Sequence, residues 1–148
     1  MKESVSFNKN LIKAEEKAFL EIIEKDSLSN YISSKNGFWY KFNLKSKNNY
    51  TPKFGDKVQY TYEVFDIYNS VIYAKSQIGE QIYVIDQQEI IEGLRDGLKL
   101  MKEGEVVTFL FPSHKAYGYL GDQKEINRNQ PLIYKVQLNK IIRKNESN

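Results

Sequence analysis

Between residues 8 and 26 the apolar residues Leu11, Ile12, Phe19, Leu20, Ile22 and Ile23 recur at helical spacing, with Glu15, Glu16, Lys17 and Glu24 on the opposite face. The spacing predicts an amphipathic N-terminal helix, ended by the polar stretch 27–37. Phe38-Trp39-Tyr40 then begins a short strand. After Gly55 the period changes, because Val58, Tyr60, Tyr62 and Val64 alternate with Gln59, Thr61 and Glu63, as a strand with one buried face requires. Tyr62 is expected to point inward. Residues 82–85 read as a further strand running into Asp86-Gln87-Gln88-Glu89, where Asp86 is expected to cap a helix and Glu89 to reach back as in a capping box. That helix, about four turns long, would carry Ile90, Ile91, Leu94, Leu98 and Met101 on one side and stop at Gly104. Residues 105–111 and 132–142 complete the strands, the first with Val107, Phe109 and Phe111 on one face, the second with Leu132, Tyr134, Val136 and Leu138. The long connection 112–130 between them holds isolated apolar residues, and loops of that length in compact domains are commonly functional. Several strands, one well-marked helix and no βαβ alternation give an α+β class, an antiparallel twisted sheet wrapped on one short helix.

Composition adds a boundary and several exclusions. With 148 residues, 41% hydrophobic and 14% aromatic, the chain supports one domain and a short appendage, the period change placing a boundary near residues 52–55. The 22 basic and 19 acidic residues are interspersed, so nucleic acid is not an expected partner. The absence of Cys and the single His exclude a disulfide framework and any Cys- or His-rich metal site. No apolar run reaches the roughly 20 residues of a membrane span, and Met1-Lys2-Glu3-Ser4-Val5 lacks a signal-peptide core. The chain is therefore either cytoplasmic or addressed by a segment outside this sequence.

Familiar catalytic arrangements are missing. His114 sits in a polar Ser113-His114-Lys115 run and reads as a surface residue; Asp66, Asp96 and Asp122 are scattered; and Gly93 and Gly97 suit close helix-to-sheet packing better than phosphate binding. The chain offers instead inward aromatic and aliphatic side chains beside a helix start and a long loop, the makings of an apolar pocket. Rotation about an Xaa-Pro bond needs little more. It requires no nucleophile or proton transfer, only a site that favours the twisted amide over the planar one, with a donor or two for the substrate carbonyl.

The motifs Gly55-Asp56-Lys57-Val58, Glu89-Ile90-Ile91-Glu92-Gly93-Leu94, Met101-Lys102-Glu103-Gly104-Glu105 and Ala116-Tyr117-Gly118, with the last strand, occur in the order of the FKBP domain, which residues 55–142 resemble segment by segment. The N-terminal helix and residues 34–40 resemble the lead-in of bacterial FKBPs with a helical extension, and within the family the chain is most similar to the gliding-motility-associated isomerases of Bacteroidetes, usually envelope lipoproteins. The resemblance implies residues 1–37 as helix and linker and 38–148 as the isomerase domain. It also implies Leu94 as the pocket floor, Tyr62, Tyr134, Ile90 and Ile91 as walls, and Tyr117 and Ile126 from the loop. The Ile91 amide would bind the substrate carbonyl with help from the Tyr117 hydroxyl, so Tyr62, Ile91 and Tyr117 carry the catalysis. At three places the chain departs from the family: Ile72-Tyr73 stands for the usual Phe-Asp, Leu94 for the Trp floor, and Gln81 for a wall aromatic. The implied activity is peptidyl-prolyl isomerisation without metal or cofactor, on proline-containing unfolded or extended polypeptides in the cell envelope. Tacrolimus or rapamycin would compete, and the membrane would be reached only through a lipid anchor outside this sequence. The alternative is a weakly or non-catalytic peptide-binding module, to which the loss of the Phe-Asp carboxylate points.

Overall fold

Alternation around Tyr60 produces a strand, Lys57–Phe65, that pairs antiparallel along its length with Leu132–Ile142. The computed structural model describes residues 2–26 and 30–146, with side chains for 8–26 and 30–145; Met1 and the first three residues of the polar stretch 27–37 lie outside it. Seven strands form one antiparallel sheet: β1 (Ile32–Ser33), β2 (Trp39–Leu44), β3 (Lys57–Phe65), β4 (Val71–Tyr73), β5 (Gln81–Val84), β6 (Val106–Phe111) and β7 (Leu132–Ile142). Their order is β1-β2-β6-β7-β3-β4, with β5 beside the first half of β3 and β4 beside its end. Helix α1 spans Lys2–Lys25, α2 Lys75–Ile78 and α3 Glu92–Leu98. β1 escapes the sequence pattern because only two residues pair; Ser34 Oγ accepts the Phe38 and Asn36 amides and closes the hairpin at Gly37, whose φ is +83°.

The front face of the sheet buries Val58, Tyr60, Val64, Val107, Phe109, Phe111, Leu132, Tyr134, Val136 and Leu138 under α3, which contributes Leu94 and Leu98. Contact is close because α3 turns glycines to the sheet. A Cβ on Gly93 would stand 2.6 Å from Phe111 Cδ1, and one on Gly97 2.7 Å from Phe109 Cε1, both inside the closest approach of real carbon atoms. Phe109 and Phe111 stack with centroids 5.2 Å apart, so the helix rests on a continuous aromatic bed.

The expected capping box does not form, and α3 is seven residues long. Asp86 adopts φ +60°, its amide donates to the Tyr83 hydroxyl at 3.1 Å, and its carboxylate pairs with Lys99 at 3.1 Å. Gln88 Oε1 meanwhile accepts the Val84 amide at 2.9 Å. Together these bonds make residues 84–88 a turn, and the helix begins only after Ile91. Gly104 is not the helix stop that was expected, because α3 ends at Leu98 with Lys99 as its C-cap; Gly104, with φ +91°, instead lies just before β6, its amide donating to Leu138 O at 2.8 Å.

Helix α1 lies on the back face. Phe19 is fully buried there with Leu110 and Ile133, flanked by Ile22, Ile23, Tyr31, Trp39, Phe65 and Ile67. Two sequence assignments change. Leu20, one 100° step past Phe19, turns outward and is 53% exposed, while Glu15, one turn before Phe19, is on the buried face at 5%. Its carboxylate is satisfied there by Ser113, whose amide and hydroxyl both donate to it.

The glycine contact carries a stability expectation. In Gly97→Ala the ring of Phe109 must move, at about 1–3 kcal/mol, against about 1 kcal/mol gained in helix propensity. Thermal denaturation should show a lower Tm; an unchanged or higher Tm would mean that this contact does not set the helix-to-sheet distance.

Candidate active site

The register of β3 and β7 sets Tyr62 opposite Val136 and Val64 opposite Tyr134, so the two tyrosines are diagonal neighbours on the front face. Their rings stack at 5.2 Å with 7° between planes, and Tyr60 continues the row at 5.8 Å from Tyr62. The start of α3 stands over this row. Between them is a cavity of about 450 Å³ lined by Tyr60, Tyr62, Gln81, Glu89, Ile90, Ile91, Leu94 and Tyr117. Ile91 is the helix N-cap, with φ −58° and ψ 144°. Its carbonyl accepts the Arg95 amide at 3.1 Å, whereas its own N–H meets no acceptor among the described residues. A residue with an unused backbone donor among the described residues thus lines an aromatic cavity.

Hydroxyls supply the remaining donors. Burial pushes Tyr62 up to about 12, reinforced by Tyr117 and Tyr73. Burial raises Tyr60 and Tyr134 as well, and it raises Tyr117 against the opposing hydrogen bond from Tyr134. All four phenols therefore stay protonated through neutral pH and can donate. Gln81 is oriented by its side-chain N–H, which donates to Ile78 O at 3.1 Å.

Of the residues singled out from the sequence, Tyr62, Gln81, Ile90, Ile91, Leu94 and Tyr117 line the cavity together. Tyr134 lies behind Tyr62, 1% exposed, and supports it through the stack. Ile126 is in the core and Ile72 packs against it, and neither is among the residues that line this cavity. Tyr73 also stands outside the wall, since its hydroxyl donates to Asp122 Oδ2, while Asp122 Oδ1 accepts the Lys124 and Ile126 amides at 2.8 and 2.9 Å. Burial would raise the Asp122 carboxyl, but the Tyr73 hydroxyl and the two amides hold it below the usual range. Two lining residues were missed as site residues. Tyr60 shares the alternation of Tyr62, a signal already present in the sequence, and Glu89 was assigned to the capping box that does not form.

The cavity roof is a loop, residues 112–131, held at three points around Tyr117. Its base is tied to α1 by Glu15 and Ser113; Lys115 pairs with Glu92 of α3 at 3.1 Å; and Asp122 is tied to Tyr73 of β4. His114 projects outward and takes no part.

A sequence model described as FKBP-type peptidyl-prolyl cis-trans isomerase matches residues 48–139, which hold all the strands from β3 onward except the last residues of β7 and include every cavity-lining residue. The chain belongs to the FKBP family. The FKBP relatives include the peptidyl-prolyl cis-trans isomerase Mip of Coxiella burnetii, 29% identical over 109 residues, covering 74% of this chain and 46% of Mip. FkpA of Neisseria meningitidis serogroup B is 40% identical over 53 residues, covering 36% of this chain and 20% of that protein. These matches span less than half the length of either curated relative. Among solved structures, a peptidyl-prolyl cis-trans isomerase of Pseudomonas syringae shares the fold with TM-score 0.73 at 19% identity, covering 91% of this chain and 96% of its own. FkpA of Escherichia coli follows with TM-score 0.72 at 21% identity, covering 95% of this chain and 65% of that one.

In this FKBP domain the shielding of Tyr62 can be read directly. Tyrosinate absorbance of the wild type and of Tyr62→Phe should coincide up to about pH 11, because the lost hydroxyl ionises only above the ordinary phenol range near 10. A reduced amplitude in the ordinary wave would show that the hydroxyl is solvated.

Proposed function

We propose that this chain catalyses cis-trans rotation of Xaa-Pro bonds in unfolded or extended polypeptide, within the cavity between the tyrosine row and the start of α3. The observation that carries this reading is an aromatic cavity lined by Ile91, whose backbone N–H has no acceptor among the described residues. Planar amides resist rotation with a barrier of about 18–20 kcal/mol. A proline ring seated on Leu94 between Tyr60, Tyr62 and Ile90 leaves water, and the twisted amide, having lost resonance, suffers less from that transfer than the planar one. The Ile91 N–H holds the substrate carbonyl on one side of the rotating bond, and the Tyr117 and Tyr62 hydroxyls supply the further donors. Gln81 stands at the rim. Tyr134, Ile72, Tyr73 and Ile126 bear on the substrate from behind the wall by fixing Tyr62 and the loop. The reaction calls for no cofactor or metal.

Residues 38–148 form the isomerase domain in this reading, with 1–37 as helix and linker. The likeness to gliding-motility-associated isomerases supports a place in the cell envelope, with a lipid anchor beyond this sequence; among the described residues no helix is long and apolar enough to cross a membrane. The rival reading, a peptide-binding module with little catalysis, is favoured by one feature: Tyr73, where the family places its buried carboxylate, is engaged with Asp122 of the loop.

A cis-trans assay on a Xaa-Pro tetrapeptide separates the two. The chain should accelerate the isomerisation, Tyr117→Phe should lose roughly tenfold, about 1.4 kcal/mol of barrier, and rapamycin should compete. A rate equal to the uncatalysed one overturns the isomerase reading; if rapamycin still binds, the rival stands.

A further inference from the structure

Besides the hydrogen bond that Tyr117 itself accepts from Tyr134, the loop that carries Tyr117 over the cavity is held at three points of unequal strength. Lys115 and Glu92 form an ion pair in which the Glu92 side chain is 43% exposed, and such pairs contribute little. Tyr73 and Asp122 act at the far side of the loop, after the turn at Gly118–Leu120. The third point is different in kind. Glu15 is 5% exposed and Ser113 2%, and the Glu15 carboxylate accepts the Ser113 amide at 2.5 Å and its hydroxyl at 2.6 Å. A charge-assisted, two-point bond shielded from water is a strong polar restraint, and it is the one of the three that is fully buried.

Its position matters as much as its strength. Ser113 is the first residue of a short 3-10 turn, Ser113–Lys115, and its carbonyl accepts the Ala116 amide at 3.0 Å, so the orientation of Ser113 is passed to the residue preceding Tyr117. Glu15 reaches Ser113 only because α1 is docked on the back face by Phe19, one helical turn further on. The N-terminal helix therefore touches the base of the site loop from the side of the sheet opposite the cavity.

We propose that Glu15 is a positioning residue for the isomerase site: by accepting both donors of Ser113 it fixes the take-off of the loop and so sets where Tyr117 stands over the cavity. The proposal rests on the isomerase reading only for its kinetic consequence; the structural part stands without it. It makes α1 a component of the site, with removal of a single carboxylate on the back face expected to loosen a donor on the front.

The test compares Glu15→Gln and Glu15→Ala with Phe19→Leu in the full chain, well below the Tm of each. Amide hydrogen exchange is followed by mass spectrometry, and peptide turnover is measured in parallel. Glu15→Ala should speed exchange across residues 113–121 at least tenfold relative to β3 and β7, and Glu15→Gln, which keeps one acceptor, less. Phe19→Leu, which costs stability but keeps an apolar side chain docking α1 and leaves the carboxylate untouched, should leave the ratio unchanged. Turnover should fall several-fold in Glu15→Ala, through KM and kcat together, and be partly restored in Glu15→Gln. Should Glu15→Ala not hold its fold, the Glu15→Gln ratio decides. Equal exchange in loop and strands for the Glu15 variants, or the same loop response in Phe19→Leu, would overturn the proposal. If the wild type has no turnover, the isomerase reading fails and the exchange ratio still decides the positioning role.

Discussion

Close approach of α3 to β6 is the constraint on which the site depends. Gly93 and Gly97, four residues apart, bring the helix backbone onto the rings of Phe111 and Phe109 with no room for a Cβ at either contact. The helix axis is thereby fixed against the sheet, and with it the height of the helix start above Tyr62 and Tyr60. Two glycines that look like helix weaknesses in the sequence hold the helix start, and with it the Ile91 backbone, close to the sheet.

The opposite wall is set by strand register. Because β7 pairs with the whole of β3, Tyr134 and Tyr62 meet in a near-parallel stack, and Phe111 on β6 approaches Tyr134 at 5.2 Å, so the wall of the cavity is joined to the bed of the helix by ring contacts. Burial that holds the wall together also holds its hydroxyls protonated. A site built this way supplies apolar surface and neutral donors without any group that must gain or lose a proton, as rotation about an amide bond requires.

Much of this was legible in the chain. Alternation marked β3 and β7, whose front faces are apolar and whose back faces are mostly polar apart from Phe65 and Ile133 under α1, and the spacing of Gly93 and Gly97 marked a packed helix. Resemblance to the FKBP motifs then brought Tyr62, Gln81, Ile90, Ile91, Leu94 and Tyr117 together, and these six do share one cavity. What failed were local signals overruled at a distance. Asp86 had the chemistry of a cap, but Lys99 and Tyr83 hold it in a turn. Glu15 looked like a solvated charge because its partner is 98 residues away, and no pattern within one helix can reveal such a pairing. Tyr73 was legible only as the replacement for the family's carboxylate, because its partner, Asp122, lies 49 residues away in the loop.

The helix start, placed by the glycine contact, offers the Ile91 amide to a substrate carbonyl. Titration of a uniformly labelled sample with a short proline peptide, followed by amide chemical shifts, would show whether it does. The Ile91 resonance should move among the most strongly perturbed, together with Leu94 and Tyr117, and those of α1 around Phe19, on the back of the sheet, should stay fixed. Saturable peptide binding that leaves Ile91 in place and perturbs another surface would contradict it.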